Sequence, residues 1–463
     1  MVRLKKIALL TIMIPAVLLP FYTPAAAATP FRNIIAASAL LAEADTGEAL
    51  YEYKTGDRRP ADSLTKIMTL LIAISACETG KVRQNDMIEM SDTAWLDMTS
   101  LSTTQSIMPG EKMTLLDLMY CAYVGSANEA CNRIAEHVAG SIEAFIGMMN
   151  ARAKELGCEN TNYRNTHGQY NERQYTTAQD QFIVFREAMS HPLFVEMSSS
   201  YSYETASTNV SEPRRLSGTN SLLNANSKYY YRPCTSGIAS ASFEGGYSFV
   251  AFAETDGLSL ITVVLGSDLV TFEDESTEMR NITETRRLFE WGFSEFSWRN
   301  ILSTSYLAGK APVTHGAGAD YVNLRPELPI RVLLDNSIPD EEFIKTATIF
   351  SEDTGKTLYA PISAGEVLGE VTVTRKGVNY GTRKLIADTD IELHRLQFIK
   401  MQIEDLVTST TARRVAAALL ILIAGYIALV IRYNVKRRKR LRRIADAKKN
   451  LINERRSQHM DEE

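Results

Sequence analysis

Residues 58–75 read RRPADSLTKIMTLLIAIS. From Ser63 to about Cys77, the apolar positions Ile67, Leu70, Leu71 and Ile74 recur at three- and four-residue spacing, the period of a helix with a buried face. Asp62 is placed to cap its start, and Gly80 stands near its stop. Ser63 and Lys66 are three positions apart, and on a helix such residues share a face, about 5–6 Å apart at Cβ. The pair is either a helix start with a snorkelling lysine or a nucleophile with its base. A serine hydroxyl needs a base within hydrogen-bond reach. A lysine can serve where burial or positive neighbours lower its pKa, and the helix N-terminus favours a developing alkoxide. So short a motif occurs by chance in a chain of this length, so the decision rests with the segments around it.

Upstream, ASALLAEADTGEALYEYKTGDRRP (37–60) predicts a hairpin that turns at Asp45-Thr46-Gly47 and resumes alternation at Leu50-Tyr51. Downstream, the pattern predicts helices at 114–124, 127–139, 141–156 and 177–190. Two strands follow, YSFVAFAE (247–254) and LSLITVVLGS (258–267), joined at Asp256-Gly257, and then a helix near 277–292. Helices bracketed by terminal strands describe an α+β domain with an antiparallel sheet. From about 305 to 400 the chain alternates apolar and polar residues, with turn signals every eight to twelve positions. That texture predicts a small all-β module.

At 463 residues, 45% hydrophobic and 23% charged, the chain is a folded protein of more than one domain. Arg3, Lys5 and Lys6 precede an apolar stretch from Ile7 to about Tyr22 and then small residues, so residues 1–28 read as a signal peptide cleaved after Ala28. The uncharged run VAAALLILIAGYIALVI (415–431) is short for a span but is flanked by Arg413-Arg414 and a dense Lys/Arg cluster. It reads as a transmembrane anchor over 413–432, with a basic cytoplasmic tail at 433–463. The last 32 residues carry a net +7, leaving −12 on the rest. Beside a span, that basic tail fits anionic lipid rather than nucleic acid. Five cysteines without CxxC spacing and six scattered histidines without HExxH give neither a disulfide framework nor a metal site, and no cofactor is expected.

The second chemical stretch is YCAYVGSANEACNRIAEHVAGS (120–141), where Ser126 and Asn128 sit on a tight connection between helical patterns. They can aim a hydroxyl and an amide into a cleft, or they can be a capping serine and a turn asparagine. Together with Ser63-x-x-Lys66 they form an ordered set. Residues 39–71 resemble the opening of the low-molecular-mass penicillin-binding proteins, the serine D-alanyl-D-alanine carboxypeptidases. GSANEACNRIAEHVAGS is similar to their S-G-N segment, and NYRNTHGQYNERQYTTAQD (162–180) to their N-x-H-G region, with Asn165, His167, Gly168, Thr177 and Asp180 in place.

The resemblance implies a penicillin-binding/β-lactamase-like catalytic domain over 29–295, then the β domain at 305–400 and the membrane anchor. It implies peptidoglycan stem peptides as substrate and β-lactam antibiotics as inhibitors. It makes Ser63 the nucleophile that attacks the penultimate D-alanine carbonyl, Lys66 its base and Ser126 a proton relay. Asn128 would hold Lys66 or the substrate amide. The oxyanion would lie between the Ser63 N–H and a strand N–H.

The third motif departs from the family. Read back from GGYSFVAFAE, the chain offers YYYRPCTSGIASASFEGGY (229–247). Ser236-Gly237 fits the T-G of K-T-G, Thr235 stands for the lysine, and the spacing to Gly246 is about three residues too long. Thr235, Ser236, Gly237 and Ile238 are then the expected substrate-binding strand, with Arg232, or Lys228 further back, supplying the missing charge. The first two motifs predict an active or slow carboxypeptidase. The alternative is a membrane-anchored relative that binds peptidoglycan without efficient cleavage. A β-lactamase is disfavoured by the hairpin, the β domain and the anchor.

Overall fold

The computed structural model describes residues 31–408 and 410–458, so the signal-peptide segment 1–28 lies outside the described residues. The chain forms two compact units. The first takes the described residues up to Asn300 together with Arg331–Glu342, and the second takes Ile301–Ile330 and Phe343 onward.

The first unit is built on a five-stranded antiparallel sheet. Its strands are β1 (Ser38–Glu43), β2 (Ala49–Tyr53), β3 (Cys234–Ser242), β4 (Gly246–Thr255) and β5 (Leu258–Ser267), in the order β2-β1-β5-β4-β3. The reason this sheet forms from chain ends nearly 200 residues apart is visible in its side chains. Leu40 and Ala42 of β1, with Ile261, Val263 and Leu265 of β5, enter one core, while Ala39 and Leu41, with Leu260 and Val264, enter another. A strand alternates its side chains between faces, so the ALLA at the centre of SALLAE is apolar at every position because both faces are covered.

One face packs on a helical layer: α1 (Thr65–Glu78), α2 (Leu115–Tyr123), α3 (Asn128–Ala139), α4 (Ile142–Glu155), α5 (Ala178–Met189) and α6 (Pro192–Ser198). The other face packs on α7 (Arg280–Glu295) through Ile282, Leu288 and Phe289. Thr114, Ser141 and Thr177 cap α2, α4 and α5 by accepting the N–H of Asp117, Ala144 and Asp180. Helix α1 is buried almost all round, so it is the centre of the helical layer. Residues 331–342, inside the stretch read as the β module, belong to the first unit. There the Asn336 N–H donates to the Glu295 carbonyl at 2.7 Å.

The second unit carries a six-stranded sheet: β6 (Gly309–Thr314), β7 (Tyr321–Pro326), β8 (Ile344–Ile349), β9 (Leu358–Tyr359), β10 (Val367–Arg375) and β11 (Val378–Ala387), in the order β8-β10-β11-β7-β6-β9. Only β6 and β9, among the pairs described, run parallel. Its later helices are α8 (Phe350–Thr354), α9 (Arg395–Thr408) and α10 (Thr410–Gln458). Within α10, the helix Arg413–Asn450 contains an 18-residue window with a mean hydropathy of 2.5, long and apolar enough to cross a membrane.

Gly237, expected among substrate-binding residues, has a packing reason of its own. Its φ is +146°, and a Cβ there would stand 2.5 Å from the Val250 carbonyl oxygen and 2.9 Å from Ala251 Cα. Neither is a flexible side-chain end, so Gly237→Ala must displace β3 from β4. We expect it to cost about 2 kcal/mol or more, read as a lowered urea midpoint. An unchanged midpoint would show that the strands yield freely.

Candidate active site

The segment before α1 is a single 3-10 turn, Asp62–Leu64, that runs directly into the helix. Asp62 does not cap it: its φ is +43° and its side chain accepts no capping N–H. This left-handed step is unusual for a residue with a side chain. Ser63, which follows it, is half-buried, and Lys66, one turn on, reaches back to its hydroxyl.

Lys66 is buried, with 1% exposure, and its Nζ lies 3.3 Å from Ser63 Oγ while donating to the His167 carbonyl at 2.8 Å. Burial pushes the Lys66 ammonium below the usual lysine range, with the Glu129 and Asp62 carboxyls pulling the other way. Of the two causes the sequence offered, burial and positive neighbours, burial is the one that lowers it here.

The carbonyl that receives Lys66 is held by a buried network. Thr69 Oγ1 donates to the Thr166 carbonyl at 2.5 Å, and Thr166 Oγ1 donates to Asn132 Oδ1 at 2.6 Å. Asn132 Nδ2 donates to Asp97 Oδ1 at 2.8 Å, and His167 Nε2 lies 2.9 Å from Asp97 Oδ2. The Gln169 N–H donates to His167 Nδ1, which leaves Nε2 as the protonated nitrogen. Burial lowers the His167 pKa against the pull of Asp97, so the ring is neutral near pH 7. Gly168 completes the arrangement. Its φ is +95°, and a Cβ there would overlap the Asp62 carbonyl, so only glycine lets the two segments touch.

Ser126 and Asn128 stand at the start of α3, which packs on α1. Ser126 has φ +53° and is nearly buried, so it too is a non-glycine residue held in the left-handed region. The Asn128 N–H donates to the Thr103 carbonyl at 2.9 Å, while its buried Oδ1 has no hydrogen-bond partner among the described residues. Asn128 is not among the hydrogen-bond partners of Lys66, which are Ser63 and the His167 carbonyl. Glu129, buried beside it, accepts from the Gln105 and Ile107 N–H groups.

The third motif needs correction. The β3 residue that reaches Ser63 is Ser240, whose Oγ accepts the Ser63 N–H at 3.0 Å. At about 3.3 Å per strand residue, Thr235 lies about 16 Å from Ser240 and Gly237 about 10 Å. Thr235 is exposed, and Ser236 Oγ is tied to Ser198 Oγ at 2.5 Å and Met189 Sδ at 3.3 Å, at the α5–α6 end of the strand. Arg232 is exposed on the connection before β3, and Lys228 Nζ donates to the Thr277 carbonyl at 2.8 Å. None of these five hydrogen-bonds Ser63 or Lys66. Read three residues further on, the excess spacing to Gly246 disappears: Ile238, Ala239 and Ser240 stand where K-T-G would be. Ile238 is buried in the core that also holds Leu64. The lysine position is therefore apolar. The three-residue mismatch was the available signal for this shift, and a Ser-Gly string masked it.

Asp62 was legible only as a helix cap. Its carboxyl is buried against Gly245. Burial pushes its pKa up to about 6 from 3.8, with Ser242 and Lys66 easing it and Glu244 adding to it. Between those values the native state holds a proton that the unfolded chain has lost, so stability falls as pH rises from about 4 to about 6. Asp62→Asn removes this dependence. We expect the variant to exceed the parent by on the order of 2–3 kcal/mol at pH 7 and to match it below pH 4, measured by urea unfolding of the full chain in detergent. Equal stabilities at both pH values would refute a buried, destabilising charge.

The comparisons with known proteins bear on the same region. The model of the D-alanyl-D-alanine carboxypeptidase family, peptidase S11, matches residues 23–269. The chain is 27% identical over 359 residues to D-alanyl-D-alanine carboxypeptidase DacF of Bacillus subtilis, covering 77% of this chain and 86% of that one. It is 28% identical over 364 residues to D-alanyl-D-alanine carboxypeptidase DacC of Escherichia coli, covering 76% and 83%. In fold it is similar to penicillin binding protein 5 from Haemophilus influenzae (TM-score 0.56, 23% identity, 78% of this chain and 99% of that one). It is also similar to penicillin binding protein 6B from Escherichia coli (TM-score 0.58, 21% identity, 78% and 98%). With a buried Lys66 against Ser63 and a family model that covers more than half of its length, the chain belongs to the D-alanyl-D-alanine carboxypeptidase family.

Proposed function

We propose that this enzyme removes the terminal D-alanine from peptidoglycan stem peptides through an acyl-enzyme on Ser63 and that penicillin acylates the same residue. The observation that carries the reading is Lys66 Nζ, fully desolvated, 3.3 Å from Ser63 Oγ and fixed by the His167 carbonyl. In the neutral amine, one N–H serves His167 and the lone pair is free to face the hydroxyl.

Ser63 Oγ attacks the penultimate carbonyl carbon, its proton passes to Lys66, and the carbonyl electron pair moves to oxygen. Collapse of that tetrahedral centre breaks the C–N bond. The leaving nitrogen takes a proton through the Ser126 hydroxyl, and free D-alanine departs. Water then attacks the ester carbon, gives its proton to Lys66, and Ser63 Oγ leaves and is reprotonated. Asn128 Oδ1, a buried acceptor with no partner of its own, suits an incoming substrate amide N–H. The apolar Ile238 supports slow turnover, because loss of one charged or donor group of this kind costs about 10²–10³ in rate.

In this reading 29–295 is the catalytic domain and lies outside the cell membrane, and 305–400 is a β spacer. The apolar part of α10 spans the bilayer, with the basic stretch after it on the cytoplasmic side.

The test is labelling of the full chain with fluorescent penicillin. We expect a stable adduct that Ser63→Ala abolishes, and at least about 10³-fold slower labelling for Lys66→Ala. No adduct from folded protein would remove the acyl-enzyme reading and leave peptidoglycan binding without cleavage. Rapid release of the adduct would instead make the chain a β-lactamase.

A further inference from the structure

The Ser63 N–H lies in the turn that leads into α1, on the same residue as the nucleophilic hydroxyl. Such a donor, with its helix dipole behind it, is the natural partner for negative charge that develops on an attacked carbonyl oxygen. Here it is already occupied. It donates to Ser240 Oγ at 3.0 Å, and Ser240 is 5% exposed. We propose that the Ser240 hydroxyl plugs the oxyanion donor of this site, so that every acylation must first break a hydrogen bond within the enzyme itself.

Both ends of that bond are fixed. Ser240 pairs with Ser248 in the β3–β4 ladder, so its backbone cannot retreat and only the side chain can turn away. Ser63 is fixed by the 3-10 turn, by Asp62 in its left-handed conformation and by Gly168 pressed against the Asp62 carbonyl. A glycine at position 240 would place no atom on the Ser63 N–H. The hydroxyl therefore keeps a buried donor satisfied in the resting enzyme, at the cost of transition-state stabilisation. Its effect is specific to ligands that build a tetrahedral, anionic centre on Ser63, whether from a peptide, a β-lactam or a boronic acid.

The inference rests on Ser63 being the acylated residue, and the experiment separates the two. The full chain in detergent, Ser240→Gly and Ser240→Ala are compared for the second-order rate of fluorescent penicillin labelling. Inhibition by a phenylboronic acid, which forms a tetrahedral adduct without further chemistry, is measured alongside. Both variants should label about tenfold to a hundredfold faster and bind the boronate tighter by a similar factor. A merely structural role for Ser240 would not tighten a transition-state mimic. Ser240→Ala keeps Cβ and strand propensity, so it carries the test if the glycine variant unfolds. Ser63-dependent labelling that is unchanged or slower in both variants overturns the plug; slower labelling would make the hydroxyl itself the donor to the oxyanion. No Ser63-dependent labelling in any of the three proteins overturns the acyl-enzyme reading, and the plug with it.

Discussion

The site depends on keeping one lysine away from water. An ammonium group taken into a protein interior without compensation is expensive, and the group answers by losing its proton more readily. Lys66 has one fixed acceptor, the His167 carbonyl, and a hydroxyl in reach. The surrounding layers serve to hold that carbonyl. His167 is pinned by Asp97, Thr166 by Thr69 and Asn132, and the turn behind them by Asn165, whose Oδ1 accepts the Gly168 N–H. Removing a member of this chain strands a buried polar group, which costs more than the bond it made. The helical layer is thus a scaffold for one desolvated amine as well as a hydrophobic core.

What the sequence disclosed follows from where local chemistry and global fold agree. The hairpin, the two sheet-centre strands and most of the helices were legible because period and turn residues mark them directly. The Ser63–Lys66 pair was legible because both residues lie on one helical turn. The third element was not. Its position depends on which residue of β3 lies opposite the Asp62–Leu64 turn, and strand register is a long-range property set by the β4 ladder and by packing on Leu64. A Ser-Gly string could satisfy the eye at 236–237, yet only the partner strand fixes that Ser240 arrives at Ser63. Asp62 was read as a cap for a similar reason. Composition favours that role, and the positive φ that prevents it comes from contact with a loop a hundred residues away.

The resulting electrostatics differ from the arrangement the motif pattern implies. There, a lysine on the strand next to the nucleophile would favour every negative charge the reaction creates. Here the strand offers Ile238 and Ser240, and the residue before the nucleophile is a buried carboxyl. The Glu129 and Asp62 carboxyls both lie close enough to raise the Lys66 pKa, opposing the burial that lowers it. A charged Asp62 beside a developing oxyanion would be adverse, and its elevated pKa keeps it partly neutral near pH 6.

These features have a common physical sense. With no cation on the strand, the groups around Ser63 that can attract an anion are the helix head with its N–H and, once it has taken the hydroxyl proton, Lys66. The Ser63 N–H is bonded to Ser240, and the residue preceding it carries an acid. A cleft built this way discriminates strongly by what its ligand brings. A substrate must supply enough binding energy elsewhere to move a hydroxyl from a donor and to tolerate a nearby carboxyl before the tetrahedral centre is stabilised. The nucleophile and its base are in place, and the barrier resides in the strand that faces them. Evolution of rate on this fold would therefore act first at positions 238 and 240, where side chains change the field at Ser63 without disturbing the buried network that holds Lys66.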